Sequence, residues 1–379
     1  MKIRLAMVTP YPDKNGTITG GVEGAAYTLV AGLRLVPEIE IHIIVPSNNK
    51  QASVEYRDGI TIHWLKKSCL PGFISYWSTT RSEIHKKLQL INPDITHFQG
   101  AAGWTLFYKK PYVLTIHGIS EKNVLYSHGF LGKIRHIVIS KIELIGRKNT
   151  NNTIIINPYV LSEIGEQING SRWDIENPVE PAFFELQREN NSLRVLFVGR
   201  ITRQKNVDGL IRAFYMVIKQ IPSASLHIAG APESDSYFSC CTEYVKKQGL
   251  EHAIKFCGNV SRNELMHELT QANCLALVSF QETAPIVIEE AMAAGVPVIA
   301  SNICGLPYMV DNEITGFLVN PNDEEAIVQK MLKLLTDATI NKQMGTNSRT
   351  VASERFNYLK VAEKTLEVYL KIISDSHHI

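Results

Sequence analysis

The 379 residues suit two or three domains at about 150 residues each, and an apolar content of 45% is that of packed globular domains. With 20% charged residues and no low-complexity tract, the chain is neither disordered nor fibrous. No apolar run reaches the roughly 18–20 residues a bilayer demands, so a cytoplasmic protein is expected, and 39 basic against 37 acidic residues exclude the strongly basic balance of a general nucleic-acid binder.

The charge is uneven along the chain. Residues 1–180 carry 20 Lys and Arg against 15 Asp and Glu, and the remainder 19 against 22, which makes the N-terminal part the better candidate for an anionic partner. Cys69, Cys240, Cys241, Cys257, Cys274 and Cys304 show no CxxC pair and no Cys/His ligand spacing. Neither zinc nor a disulfide framework is indicated, and buried reduced thiols are expected.

In chain order, short β-branched runs alternate with longer helical patterns. Strands are expected at Ile3–Thr9, Ile41–Val45, Asp94–Phe98, Tyr112–His117 and Ile154–Ile156. Near-continuous apolar strands separated by helices read as a parallel sheet covered on both faces, a doubly wound α/β unit. The pattern then restarts at Leu193–Gly199, Leu226–Gly230, Ile254–Gly258, Leu275–Ser279 and Val298–Ser301. Between the two lies the polar, proline-broken stretch Trp173–Ala182, which reads as a linker.

The boundary therefore falls near residue 180, giving Rossmann-like domains 1–180 and 181–357. A last helical pattern, about 358–379, carries Val361, Ala362, Leu366, Tyr369, Ile372 and Ile373. It fits either the second domain or a return across the linker onto the first. Open α/β sheets bind ligands beyond the carboxyl ends of their strands, so two such sheets facing each other would place the site in the cleft between them.

The most informative segment runs from Ser279 to Ser301. A strand end is followed by a loop bearing Glu282, Pro285 suits a helix start, and Gly295 with Pro297 closes that helix. Glu282, on the loop, and Glu290, in the helix, then have seven residues between them. The free N–H groups of Ala284, Ile286 and Val287, with Pro285 among them, form the positive end of a helix dipole, suited to phosphate or sugar oxygens. Arg200 and Lys205 follow a strand end by one and six residues, and Gly20 and Gly21 open a helix where paired glycines let backbone approach a ligand.

Glu282, seven residues, then Glu290-Ala291-Met292-Ala293 resembles the E-x7-E motif of the retaining glycosyltransferases of family 4, whose fold is the two-Rossmann GT-B architecture. Val198-Gly199-Arg200 followed by Lys205-Asn206 resembles that family's VGR-x4-KN segment, and Thr9-Pro10-Tyr11-Pro12 with Gly20-Gly21-Val22-Glu23 its N-terminal glycine loop. Lesser matches are Pro93–His97, Thr115–Gly118, Glu176–Val179 and Phe256–Val260. The resemblance spans about residues 3–330 in order.

This resemblance implies a retaining, metal-independent transfer of a hexose from a nucleotide sugar, UDP-glucose by family frequency, to an acceptor hydroxyl. The setting expected is bacterial surface or exopolysaccharide assembly, with a glycan or lipid-linked glycan as acceptor and neither a further cofactor nor nucleic acid involved. Glu282 would hydrogen-bond the donor hexose, Glu290 the ribose hydroxyls, Arg200 and Lys205 the diphosphate, and His117 would lie near the donor sugar. Gly20, Gly21, Gly230 and Val260 would offer backbone contacts.

Each residue also has a plainer reading: a solvated acid at Glu282, a structural salt bridge at Glu290, loop cations in solvent, a structural histidine and a tight turn. Glu289 reads as an exposed helix residue. Family members often carry Phe-Gly where this chain has Thr283-Ala284-Pro285, which bears on contacts to the sugar.

Phe107–Tyr112 and the segment Lys133–Lys148, with Arg135, Lys141 and Arg147, are basic and part aromatic. They fit either a solvated face or contact with the cytoplasmic membrane surface. Two other classes share the fold: a nucleotide-sugar epimerase of the UDP-N-acetylglucosamine 2-epimerase type, and an inactive nucleotide-sugar-binding relative. The joint set Arg200, Lys205, Glu282 and Glu290 argues against both.

Overall fold

The computed structural model describes residues 2–14, 18, 20–48, 51–68, 70, 72–119, 122, 130–189 and 192–376. They form two compact units, one of residues 1–178 with 358–379 and the other of 179–357.

The first unit is an eight-stranded sheet. Its strands are β1 (Ile3–Val8), β2 (Ile39–Asn48), β3 (Ser53–Arg57), β4 (Ile60–Lys66), β5 (Ile95–Gln99), β6 (Tyr112–Ile116), β7 (Asn152–Ile155) and β8 (Ser171–Asp174). They lie in the order β3-β4-β2-β1-β5-β6-β7-β8, and every pairing is parallel except β3 with β4. Leu5, Ala6, Met7 and Val8 are consecutive and fully buried, as a strand covered on both faces requires.

The β3–β4 hairpin departs from the expected all-parallel reading. Its turn is Asp58-Gly59, both with positive φ (52° and 80°), between two alternating runs. Trp173 and Asp174, assigned from sequence to the linker, belong instead to β8, which pairs with β7.

The helix Tyr358–Ser376 belongs to this first unit and packs on the helix Gly21–Leu33. Val361, Ala362, Val368, Tyr369 and Ile372 join Leu5, Met7, Val30, Leu33 and Ile43 in one apolar core. Within that core His97 Nδ1 lies 2.6 Å from the Tyr369 hydroxyl, and its Nε2 lies 2.6 Å from Thr115 Oγ1. Both ring nitrogens are thereby satisfied, and burial holds the imidazole neutral, its pKa lowered to about 3.

The second unit begins at Val179, whose N–H donates to Phe356 O at 2.8 Å, so the chain enters and leaves this unit at neighbouring points. Its strands are β9 (Arg194–Val198), β10 (Ser225–Ala229), β11 (Ile254–Gly258), β12 (Ala272–Leu277), β13 (Val298–Ser301) and β14 (Gly316–Val319). All are parallel, in the order β11-β10-β9-β12-β13-β14. The strand order therefore reverses between β9 and β12, and the carboxyl ends of those two strands are where such a sheet receives ligands. A separate core built on Phe183, Phe197, Phe214, Phe317 and Phe356 fills this unit.

Cys241 and Cys274 are buried, Cys257 and Cys304 are half-buried, and Cys240 is exposed, contrary to the uniform burial expected; Cys69 lies outside the described residues. Among the described residues no helix is long and apolar enough to cross a membrane.

Candidate active site

The segment after β9 is built to hold Lys205 still. Thr202 caps the short 3-10 turn Arg203–Lys205, its hydroxyl accepting from Lys205 N at 3.2 Å. Asn206 follows in the left-handed region (φ 54°), and its amide donates to Val278 O at 3.2 Å and Pro321 O at 2.9 Å. Gln204 Nε2 donates to Gln281 O at 2.9 Å, while Phe280 N donates to Gln204 O at 2.8 Å. The loops that leave β9 and β12 are thus stitched together at the point where the strand order reverses.

That stitching brings Lys205 Nζ and Glu282 Oε1 into a direct ion pair with only 18% and 10% of the two side chains exposed. The Glu282 loop is clamped from behind as well, because Gly305 N donates to Glu282 O at 3.0 Å. Gly305 packs so closely that a Cβ would stand 1.7 Å from Thr283 O. Ser301 Oγ donates to Ser279 O at 2.7 Å, which pins the start of the loop.

Beyond it Pro285 is the N-cap of the helix Ile286–Ala293. Its first N–H groups, at Ile286 and Val287, lie at the positive end of the helix beside Ala284. Arg200, by contrast, has a side chain 70% exposed, and among the described residues its ion pair is with Glu233 at 2.6 Å. An exposed pair of this kind is weak and readily exchanged for another anion.

Gly230 sits at the end of β10 with φ 146°, and a Cβ there would meet Gly199 O at 2.0 Å. Its side-chain-free form is what lets the β9 and β10 ends pack. Val260 is half-buried and precedes Ser261, the cap of the helix Arg262–Gln271.

Glu290, on the helix Ile286–Ala293, is 4% exposed and forms an ion pair with Arg262. The same guanidinium reaches Glu180 at 2.6 Å and lies 4.5 Å above the centre of the Phe183 ring. Burial raises the pKa of the Glu290 carboxyl and Arg262 pulls it back down, with burial prevailing. Arg262 was not singled out from sequence. The available signal was the Ser261/Glu264 capping box, which places Arg262 at the first helical position, where the helix dipole disfavours a cation and a carboxylate partner is called for. Glu289 corrects the sequence reading outright: it is 1% exposed, because from Ile288 to Ala293 every residue of this helix is buried.

In the first unit, His117 follows β6, and its Nε2 is hydrogen-bonded to Gln99 Oε1 at the end of β5. Burial lowers its pKa to about 4, with a bond to Asn177 acting the other way, so the ring is neutral near pH 7. Gly20 is the N-cap of the helix that begins at Gly21, with extended backbone (φ −160°) and no described atom within 4 Å of where a Cβ would be.

Of the basic segments, Arg147 is 3% exposed and bonds Gln167 Oε1 at 2.7 Å, which removes it from any surface face. Lys109, Lys110 and Lys141 are exposed, and Phe107 is 82% exposed; the side chains of Lys133 and Arg135 lie outside the described residues. A Cys/His ligand set unseen in the sequence spacing also appears. His227, Cys257 and Glu268 have ligand atoms within 4.8 Å of one another, and Arg194 already meets Glu268 at 3.0 Å.

Two α/β units, each built on a mainly parallel sheet and the second carrying a charged pair at its reversal point, are of the GT-B type. Residues 179–351 match the model of the glycosyl transferases group 1 and residues 19–176 that of Glycosyltransferase Family 4. The chain belongs to these group 1, family 4 glycosyltransferases and is a transferase enzyme.

An uncharacterised glycosyltransferase of Methanocaldococcus jannaschii is 25% identical over 97% of this chain and 98% of its own length. The sucrose-phosphate synthase of Thermosynechococcus elongatus superposes with a TM-score of 0.84 at 20% identity, over 99% of this chain and 100% of that one. The Anabaena protein HepE in complex with UDP-glucose gives 0.74 at 15% identity, over 97% and 100%.

Proposed function

We propose that this glycosyltransferase is a retaining, metal-independent enzyme that moves a hexose from a nucleoside diphosphate sugar, UDP-glucose first among them, to a glycan or lipid-linked glycan hydroxyl in bacterial surface or exopolysaccharide assembly. The observation that carries this reading is the Lys205–Glu282 pair, held between two stitched loops at the carboxyl ends of β9 and β12. HepE, a structural neighbour, is known in complex with UDP-glucose, which supports that donor as the first to try.

The chemistry follows from charge. As the bond from the anomeric carbon to the diphosphate breaks, negative charge grows on the leaving oxygen, and the Lys205 ammonium, Arg200 and the N–H groups of Ile286 and Val287 meet it. Arg200 exchanges Glu233 for phosphate at little cost, being exposed. Glu282, relieved of Lys205 by the diphosphate, accepts hydroxyl protons of the hexose, and its charge favours the positive anomeric carbon. Glu290 accepts from the ribose. Two cations on the leaving group do what a divalent ion would otherwise do. His117, neutral at pH 7, supplies hydrogen bonds rather than a proton.

Phe107 beside Lys109 and Lys110 supports contact with an anionic cytoplasmic membrane face, as a lipid-linked acceptor would need. The test of the whole reading is UDP release from UDP-glucose in EDTA with glycan acceptors, with the product's anomeric proton read by NMR. An α-linked product agrees; a β-linked product refutes retention, and loss of turnover in EDTA refutes metal independence.

A further inference from the structure

The pair of glutamates in the second unit is not symmetric in its support. Glu282 has a lysine that a diphosphate would draw away, whereas Glu290 has an arginine engaged on three sides. Arg262 joins Glu290 through one terminal nitrogen and Glu180 through the other at 2.6 Å, and it stacks on Phe183 at 4.5 Å. Its side chain is 25% exposed and that of Glu290 is 5% exposed.

A guanidinium at the first position of a helix stands against that helix's dipole, and only carboxylates make the place favourable. Without it, burial and the like charge of Glu180, held by the same guanidinium, act unopposed to raise the carboxyl's pKa further and favour its protonated form. A protonated carboxyl is a poor acceptor for two hydroxyls.

From the geometry we infer that Arg262 is a positioning residue: it keeps Glu290 ionised and aimed, so that the carboxylate is ready to take a nucleotide's ribose hydroxyls. The inference rests on the ribose role given to Glu290 above. The charged groups facing Glu290 are Arg262, from the helix Arg262–Gln271, and Glu180, ahead of the short helix Pro181–Phe184. Glu289 is buried beside it on the same helix. From the helix Ala338–Arg355, Arg349 spends its donors on Leu186 O at 2.6 Å and Ala294 O at 2.7 Å instead.

The experiment uses the full chain and UDP-glucose, whose diphosphate does not titrate between pH 6 and 8. Calorimetry at those two pH values should give wild-type affinities within about 2-fold, whereas R262M binds several-fold more weakly at pH 6 than at pH 8, as a carboxyl pushed further up by burial once its cation is gone requires. E290Q should be flat with pH, and R262M added to E290Q should stay flat. R262K, which keeps the charge, should restore the flat profile.

A second readout needs no ligand. The melting-temperature deficit of R262M against wild type should narrow as pH falls from 8 to 6, because a raised folded pKa returns stability on protonation, and it should not narrow in the E290Q background. If R262M does not fold, R262Q takes its place in both measurements.

A pH-independent loss of affinity in R262M, or a deficit that does not narrow, overturns the inference and leaves the donor assignment standing. Failure of the wild type to bind UDP-glucose at either pH overturns the donor assignment, and the ligand-free deficit alone then decides whether Arg262 holds Glu290 ionised.

Discussion

Gly305→Ala isolates the clamp behind the Glu282 loop. Gly305 has φ −79°, an ordinary backbone conformation, so the substitution carries no dihedral penalty and acts through space alone. An added Cβ would stand 1.7 Å from Thr283 O and 2.6 Å from Thr283 C, and to reach even 3.0 Å the loop must retreat by about 1.3 Å. That retreat lengthens the 3.0 Å bond from Gly305 N to Glu282 O and draws Glu282 from Lys205.

Overpacking together with one lost hydrogen bond costs about 2–4 kcal/mol, and a displacement near 1 Å at a reacting group costs about 10²-fold in turnover. The assay is UDP release from UDP-glucose with a thermal melt of the same sample. Gly20→Ala, with extended backbone and no described atom within 4 Å of the new methyl, is the steric control and should melt as the wild type does. Wild-type turnover and melting in Gly305→Ala would show that the clamp does not set Glu282.

Glu282→Ala should lower turnover by about 10²-fold or more while nucleotide affinity survives, since the carboxylate is assigned to the hexose; calorimetry with UDP beside a turnover assay checks it, and unchanged turnover removes the assignment. Lys205→Ala should weaken UDP about 10²-fold and uridine by only a few fold, and equal losses would contradict a diphosphate role.

The buried histidines His63, His97 and His117, lowered by burial to about 4, 3 and 4 from 6.5, make the first unit acid-sensitive. Their folded pKa values lie below the unfolded one, so this stability is full above pH 6.5 and is lost as pH falls from there toward 4, by about 1.4 kcal/mol per pH unit for each. Trp64, Trp77, Trp104 and Trp173 all lie in the first unit, so tryptophan fluorescence follows that unit alone. Melting no lower at pH 5 than at pH 7 would contradict the prediction.

What the sequence makes legible is what period and spacing encode. The parallel strands β1, β2, β5–β7 and β9–β13 announce themselves as apolar runs, whereas β4, β8 and β14, also paired in parallel, go unread. The seven-residue interval between Glu282 and Glu290 marks the loop-to-helix segment on which both lie. The hairpin of β3 and β4 carried a readable signal in Asp58-Gly59, but its alternating strands differ from the continuous runs around them, and a search for buried strands passes over them. β8 begins with Ser171 and Arg172 and is a polar edge strand, nearly indistinguishable from the linker that follows.

Pairing is what a linear reading cannot supply. Arg262 lies 28 residues from Glu290 and 82 from Glu180, and its role exists only where three elements converge. The burial of Glu289 was legible in principle, since a helix reading Ile-Val-Ile-Glu-Glu-Ala-Met-Ala has no polar face to turn to water.

The most direct test of the account is calorimetric titration of the purified protein with UDP-glucose, GDP-glucose and ADP-glucose in EDTA. Binding of one of them without metal, weakened strongly in Lys205→Ala, is the result predicted by a donor site at the carboxyl ends of β9 and β12. Binding that is absent for all three in EDTA, or that Lys205→Ala leaves unchanged, would contradict it.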